Sequence, residues 1–143
     1  MSEILKLVIA AKENDADPLK EICFGIIPNY QAMSIIVSCK IDLRGCRKMI
    51  NIYGINHALK RHGNNIEESK NNQIGLVDSD FELIPIIISD SDFIERGTDT
   101  ARGNPVLKFY KKIDAKNYIL VMTYFRGGRK GAKLEFDTMY IKK

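Results

Sequence analysis

Apolar residues recur at helical spacing in the first part of the chain and alternate in the last part, and the period changes near Pro105. Behind Ser2, a residue suited to capping, Ile4, Leu5, Val8 and Ile9 form one stripe and predict a first helix. The stretch NDADP breaks it, and Asp17 as a new cap followed by Pro18 predicts a second short helix stopping at Gly25. The β-branched run SIIVSCKI, residues 34–41, predicts a strand that DLRGC turns. Further on, Ile52, Ile55, Ala58 and Leu59 share one helical arc that Gly63 ends. Ser79 and Glu82 have capping-box spacing ahead of Phe81, Ile84 and Ile88, predicting another helix that Pro85 shortens or kinks.

From Pro105 onward PVLKFYKKI, NYILVMTYF and AKLEFDTMYI read as three strands of an antiparallel meander, joined by DAK and by the basic loop RGGRKG. Strict alternation puts Leu134, Phe136, Thr138 and Tyr140 on one side of the last strand, a face that starts apolar and ends in hydroxyls. Helices preceding a sheet are the order of an α+β fold, N-terminal helices packed on a C-terminal antiparallel sheet. No repeat, low-complexity tract or linker divides residues 1–143, so one domain is expected.

The charge is unevenly placed. Residues 1–100 hold 11 Lys/Arg against 15 Asp/Glu, whereas residues 101–143 hold 11 against 3, so the C-terminal part carries +8. Such a footprint fits a polyanionic partner, nucleic acid first, with a solvated basic face as the plain alternative. Three cysteines without a C-x-x-C pair fit free thiols in a reducing compartment. No apolar run is long enough for a membrane span, and the N-terminal stretch has no secretion-signal order, so a soluble, cytoplasmic protein is expected.

His57 and His62, the only histidines, lie in INHALKRHG. Five positions set their rings about 140° apart on a helix, poor for one metal ion, and no metal or cofactor is expected. His57 lies nearly opposite the apolar arc beside Arg61, and His62 points close to that arc. GGRKGAK lacks P-loop spacing and joins two strands, so it is no nucleotide loop, but Arg126, Arg129, Lys130 and Lys133 remain candidates for phosphate contacts. Two histidines with cations suit metal-free RNA cleavage, in which a base takes the ribose 2′-hydroxyl proton and an acid protonates the leaving 5′-oxygen. Thr138 and Tyr140 are candidates for orienting the phosphate.

The succession IDLRGCRKMINIYGINHALKRHG, DFELIPIII, LKFYKKI and RGGRKGAKLEFDTMYIKK, spanning residues 41–143, resembles the phage-associated nuclease domains related to barnase, EndoU, colicin D and RelE, the BECR fold. The resemblance implies a barnase/RelE-like α+β domain with metal-independent ribonuclease activity, so a ribonuclease of phage or mobile-element toxin type acting on RNA is expected, with tRNA a candidate target, and a toxin role would imply a cognate acidic immunity or antitoxin protein. It matches His57, Arg61 and His62 to the family's histidine block, Lys111 and Arg126 to basic strand positions, and Thr138 and Tyr140 to a closing hydroxyl pair. His57 is the expected direct participant and His62 the orienting one. Many members carry a glutamate pair late in the middle strand where this chain has MTYFR, which leaves a histidine as base or implies reduced activity. Residues 1–40, expected to be helical, match nothing in that resemblance. A catalytically silent nucleic-acid-binding module and a protein-interaction module of a phage particle are the rival readings on the same fold.

Overall fold

A computed structural model describes residues 2–13, 17, 20–127 and 131–143. Its elements are α1 (Glu3–Ala11), β1 (Glu21–Ile26), α2 (Asn29–Cys39), β2 (Arg47–Asn51), α3 (Ile52–His62), α4 (Asn65–Lys70), β3 (Gln73–Ile74), a 3₁₀ turn (Asp78–Leu83), α5 (Ile84–Ser89) and four strands. These are β4 (Phe93–Arg96), β5 (Val106–Ile113), β6 (Lys116–Phe125) and β7 (Lys133–Lys142). The sheet runs β1-β2-β7-β6-β5-β4, with β3 added beside the end of β7. It is antiparallel except where β2 runs parallel to β7. The fold is α+β, with helices packed on a mostly antiparallel sheet as the order of elements predicts.

The meander forms as its alternation predicts. Asp114 and Ala115, both at positive φ (49° and 64°), make the two-residue turn between β5 and β6. The Ser2 hydroxyl caps α1 by accepting the Leu5 N–H at 3.0 Å, but the buried stripe is Ile4, Leu7, Val8 and Ala11, and Ile9 is exposed.

Two expectations for residues 1–40 are corrected. The predicted short helix ending at Gly25 is strand β1, which pairs with β2 across a bulge between Cys23 and Ile26; Gly25 supplies the φ of +134° there. Pro18 lies outside the described residues. The predicted strand 34–41 is the end of helix α2: Gln31, Ala32, Ile35 and Cys39 form a buried helical stripe, and the turn closes at Lys40 in the left-handed region. Packing on the core overrides the β-branched preference of this segment.

The helix predicted after Ser79 is divided. Asp80, not Ser79, satisfies the entry, its carboxylate accepting the Val77 N–H at 2.8 Å and the Tyr118 hydroxyl at 2.8 Å. The 3₁₀ turn then hands over to α5, whose Pro85 sits in the first turn, where no backbone donor is needed.

The helices cover one face of the sheet and share with it a core running from Ile4 and Val8 through Ile55, Phe81 and Ile88 to Met139 and Ile141. Among the described residues the opposite face carries a small apolar patch of Val106, Ile119 and Val121, flanked by Tyr110 and Tyr140. Two features set up that face. After three residues of parallel pairing β2 stops, and α3 takes its place beside β7; a methyl on Gly54 would lie 2.9 Å from the Phe136 carbonyl oxygen, so only glycine permits the approach. The second feature is a β-bulge in β7. Val121 pairs with Thr138 and Met122 with Phe136, leaving Asp137 as the extra residue. Leu134 and Phe136 face the core before the bulge, and Met139 and Ile141 face it afterwards. Thr138 and Tyr140 are thereby turned to the open face, which corrects the single-sided reading of the last strand. Among the described residues no helix is long and apolar enough to cross a membrane.

Candidate active site on the open sheet face

The C-terminal turn of α3 meets the open face of β7 and β5 in a cleft of about 370 Å³. Its walls include Arg61, His62, Lys108, Asp137, Thr138 and Tyr140, with Gln73 and Lys142 at one end. Lys108, Val121 and Thr138 form one cross-strand row of the sheet, and Tyr110, Ile119 and Tyr140 form the next. The sheet thus supplies a cation and two hydroxyl side chains on adjacent rows, and α3 supplies the imidazole.

His62 is held on two sides. Its Nδ1–H donates to Glu68 Oε2 at 3.1 Å, and its ring lies against Tyr140 with centroids 5.4 Å apart. Glu68 is buried, with 4% of its surface exposed, and its placement follows from the sharp turn after His62. There Asn64 caps α4 by accepting the N–H groups of Ile66 and Glu67, which folds the next short helix back on the histidine. A carboxylate on Nδ1 fixes the ring and its tautomer, leaving Nε2 as the nitrogen available to the cleft.

Electrostatically the cleft is positive and uncommitted. Arg61, Lys108 and Lys142 make no ion pair among the described residues, and Asp137, exposed at the bulge, has no hydrogen-bond or ion-pair partner there. Thr138 is over nine-tenths buried, and its hydroxyl has no hydrogen-bond partner. A buried hydroxyl left without a partner costs about 1–3 kcal/mol unless something supplied from the cleft satisfies it. On the neighbouring row burial, with Glu95 close by, pushes the Tyr110 hydroxyl up to about 12; it donates to Glu95 at 3.2 Å and stays protonated.

Of the residues singled out from the sequence, the structure brings Arg61, His62, Thr138 and Tyr140 together. His57 stands apart, one turn earlier on the outer ridge of α3, stacked on Tyr53 with centroids 6.1 Å apart and planes within 8°. Its position opposite the apolar arc is as the helical spacing predicts. That arc faces the core beside β7, however, so the cleft opens near His62 and not on the far side. Lys111 is also elsewhere. It alternates with Phe109 and Ile113 on the covered side of β5, and its Nζ is tied to Asp90 at 3.1 Å and to the Asp90 carbonyl at 2.9 Å. Arg126 is exposed beyond the end of β6, in a separate hollow with Asp42 and Arg96. Arg129 and Lys130 lie outside the described residues.

Sequence reasoning missed Glu68, Lys108 and Asp137. Period two around the core positions Leu107 and Phe109 was the available signal for Lys108, whereas neither Glu68 nor Asp137 carries one. A second hollow, about 180 Å³, adjoins the cleft and shares Asp137 with it; Tyr53, Thr123, Phe125 and Glu135 line it. The largest hollow, about 1110 Å³, lies between α1 and the α3–α4 turn. Among the described residues its charged groups are Lys12 and Asp78, which neutralise each other at 2.7 Å, so its size does not bring chemistry with it. Among the described residues no group of three or more His, Cys, Asp or Glu side chains could hold a metal ion.

The comparisons with known proteins agree with this architecture. A family model described as phage-Barnase-EndoU-ColicinE5/D-RelE like nuclease3 matches residues 26–143. It begins earlier than the resemblance read from the sequence and takes in α2. No curated protein and no solved structure matches the chain.

Proposed function

The chain belongs to the phage-Barnase-EndoU-ColicinE5/D-RelE like nuclease3 family, and from that premise we propose that it is a metal-independent ribonuclease working in the cleft beside His62. The observation that supports this reading is the gathering, in one cleft, of an imidazole oriented by a buried carboxylate, a free carboxylate, unpaired cations and an unpartnered hydroxyl.

Cleavage by transesterification needs two proton-transfer groups. His62 and Asp137 are the imidazole and the carboxylate that line the cleft, since His57 does not. Asp137 takes the proton of the ribose 2′-hydroxyl as that oxygen bonds to phosphorus. The bond from phosphorus to the 5′-oxygen breaks, and the leaving oxygen takes the Nε2 proton of the His62 imidazolium, whose other proton stays on Nδ1 against the Glu68 carboxylate. The products are a 2′,3′-cyclic phosphate and a free 5′-hydroxyl. Arg61 and Lys108 stabilise the added negative charge on the crowded phosphate, and the Thr138 and Tyr140 hydroxyls orient it. Asp137 fills the role that the absent glutamate pair of the middle strand left open. Arg126, with the basic loop after it, would meet phosphates further along the strand, and an acidic inhibitor would suit the same positive surface.

The test is incubation of the protein with total tRNA and with a single-stranded oligoribonucleotide in EDTA, beside His62→Ala. Cleavage by the unmodified protein alone, leaving cyclic-phosphate ends, is expected. Intact RNA in both lanes removes the nuclease reading for this chain, and cleavage only when a divalent ion is restored removes metal independence.

A further inference from the structure

Tyr53, His57 and Arg61 stand four residues apart on α3 and form one outward ridge. The ends of that ridge reach two different hollows. Arg61 lines the cleft around His62, Tyr53 lines the neighbouring hollow of about 180 Å³, and Asp137 belongs to both. The two hollows therefore adjoin one another along the ridge, with Asp137 between them.

The character of that hollow is aromatic. Tyr53 is 65% exposed although it is a large ring, and the parallel His57 ring backs it. Phe125 lies across the hollow on β6, with Lys133 Nζ 5.4 Å from its ring centre. The polar groups are mostly committed to one another. Asn51 uses its oxygen to cap α3 through the Gly54 N–H and its nitrogen to donate to Glu135 at 2.7 Å, and Glu135 also pairs with Lys133 at 2.6 Å. Among the described residues, Thr123 and Tyr53 offer hydroxyls without a protein partner, and the remaining free group, the Asp137 carboxylate, sits at the side shared with the cleft. Stacking surface is abundant and free base-edge partners are few.

We propose that the hollow between Tyr53 and Phe125 is a nucleobase subsite, holding the unpaired base of the nucleotide beside the scissile phosphate by stacking on the Tyr53 ring. It accepts different bases, because every base has a face to stack and the hollow offers little to read an edge with. A base inside a duplex is already stacked on both sides, so the subsite selects single-stranded segments. This inference rests on the nuclease reading for the identity of the strand, but its test reads binding and not cleavage.

The probe is a single-stranded oligonucleotide carrying 2-aminopurine at the central base and 2′-fluoro sugars, which cannot be cleaved by 2′-hydroxyl attack. Its fluorescence should fall on binding to the unmodified protein, to His62→Ala and to Tyr53→Phe, which keeps the ring. Tyr53→Ala should bind about tenfold more weakly and lose the quench, the range expected for one base–aromatic stack. The same probe annealed to its complement should show neither effect. Binding and quenching by Tyr53→Ala equal to those of the unmodified protein would overturn the subsite. Quenching that depends on Tyr53, in a protein that cleaves no RNA, would leave the subsite standing and remove the nuclease reading instead.

Discussion

Glu68 and His62 are joined by a 3.1 Å hydrogen bond between a carboxylate buried on all sides and an imidazole nitrogen, across a turn of only six residues. The pair determines which of the chain's two histidines is held in a defined orientation, and that histidine is the one in the cleft. Glu68→Ala should therefore lower kcat by about 10–100-fold with little change in KM, the cost of leaving a buried group without its partner being roughly 1–3 kcal/mol. Glu68→Gln keeps an acceptor for Nδ1–H and should lose less. Nitrogen NMR of the His62 ring reads the tautomer directly, and a tautomer unchanged in Glu68→Ala would remove the orienting role.

Replacing the proposed proton-transfer groups separates the two histidines. His62→Ala and Asp137→Asn should each reduce cleavage by about 10²-fold or more, the usual worth of general acid or base catalysis. His57→Ala should leave kcat within a few-fold and act, if anywhere, on KM through the Tyr53 stack. Single-turnover cleavage of one oligoribonucleotide distinguishes these; a dead His57→Ala beside an active His62→Ala would reverse the assignment.

Thr138→Val is expected to move stability and activity in opposite directions. It removes a buried hydroxyl that has no partner in the protein, so thermal stability should rise, by about 1 kcal/mol, while phosphate orientation is lost and cleavage falls. A variant both less stable and less active would mean that the hydroxyl serves the fold.

Two lysines three residues apart on β5 should behave differently. Lys108→Met removes an unpaired cation from the cleft and should cut activity about tenfold or more at unchanged melting temperature. Lys111→Met breaks a pair with the exposed Asp90 and should cost no more than about 1 kcal/mol of stability with activity retained. Melting curves and kcat/KM for the two variants, measured side by side, check the contrast.

Alkaline stability follows from the buried acids. Burial pushes the Cys46 thiol up to about 12 from an ordinary value near 9, and burial with the Asp80 hydrogen bond pushes the Tyr118 hydroxyl up as well. Their folded values lie above their unfolded ones, so above about pH 9 the unfolded chain releases protons that the native state keeps. The stabilisation is whole below that pH and is lost as pH rises toward 12. Cys46→Ala should flatten the fall in melting temperature between pH 8 and 11 relative to the unmodified protein. Alkylation of the native protein at pH 8 should label exposed Cys23 ahead of buried Cys39 and Cys46.

Local chemistry determined a good part of this protein. Period two in the last forty residues forms the meander, and the spacing of Ile52, Ile55 and Ala58 forms α3 with its basic end; the +8 balance of the C-terminal part was legible as well. The order of motifs identified the family. Where a segment's own preference was weak or opposed by its neighbours, the sequence misled. Residues 34–39 are β-branched yet helical because Ile35 and Cys39 bury on the core, and residues 21–26 form a strand because β2 offers them an edge.

The site was decided in three dimensions. Strict alternation put Thr138 and Tyr140 beside Phe136, and one extra residue at Asp137, visible only in the pairing with β6, turned them to the open face. Helical spacing separated His57 from the apolar arc correctly, yet which side of α3 faces a cleft depends on β7 lying close enough for Gly54 to touch its backbone. Glu68 reaches His62 only because α4 folds back, and nothing in NNIEESK announces that contact. Propensity and periodicity act along the chain over a few residues. A cleft is made of residues far apart in sequence, and its membership is set by register, by one bulge and by the close approach of one helix.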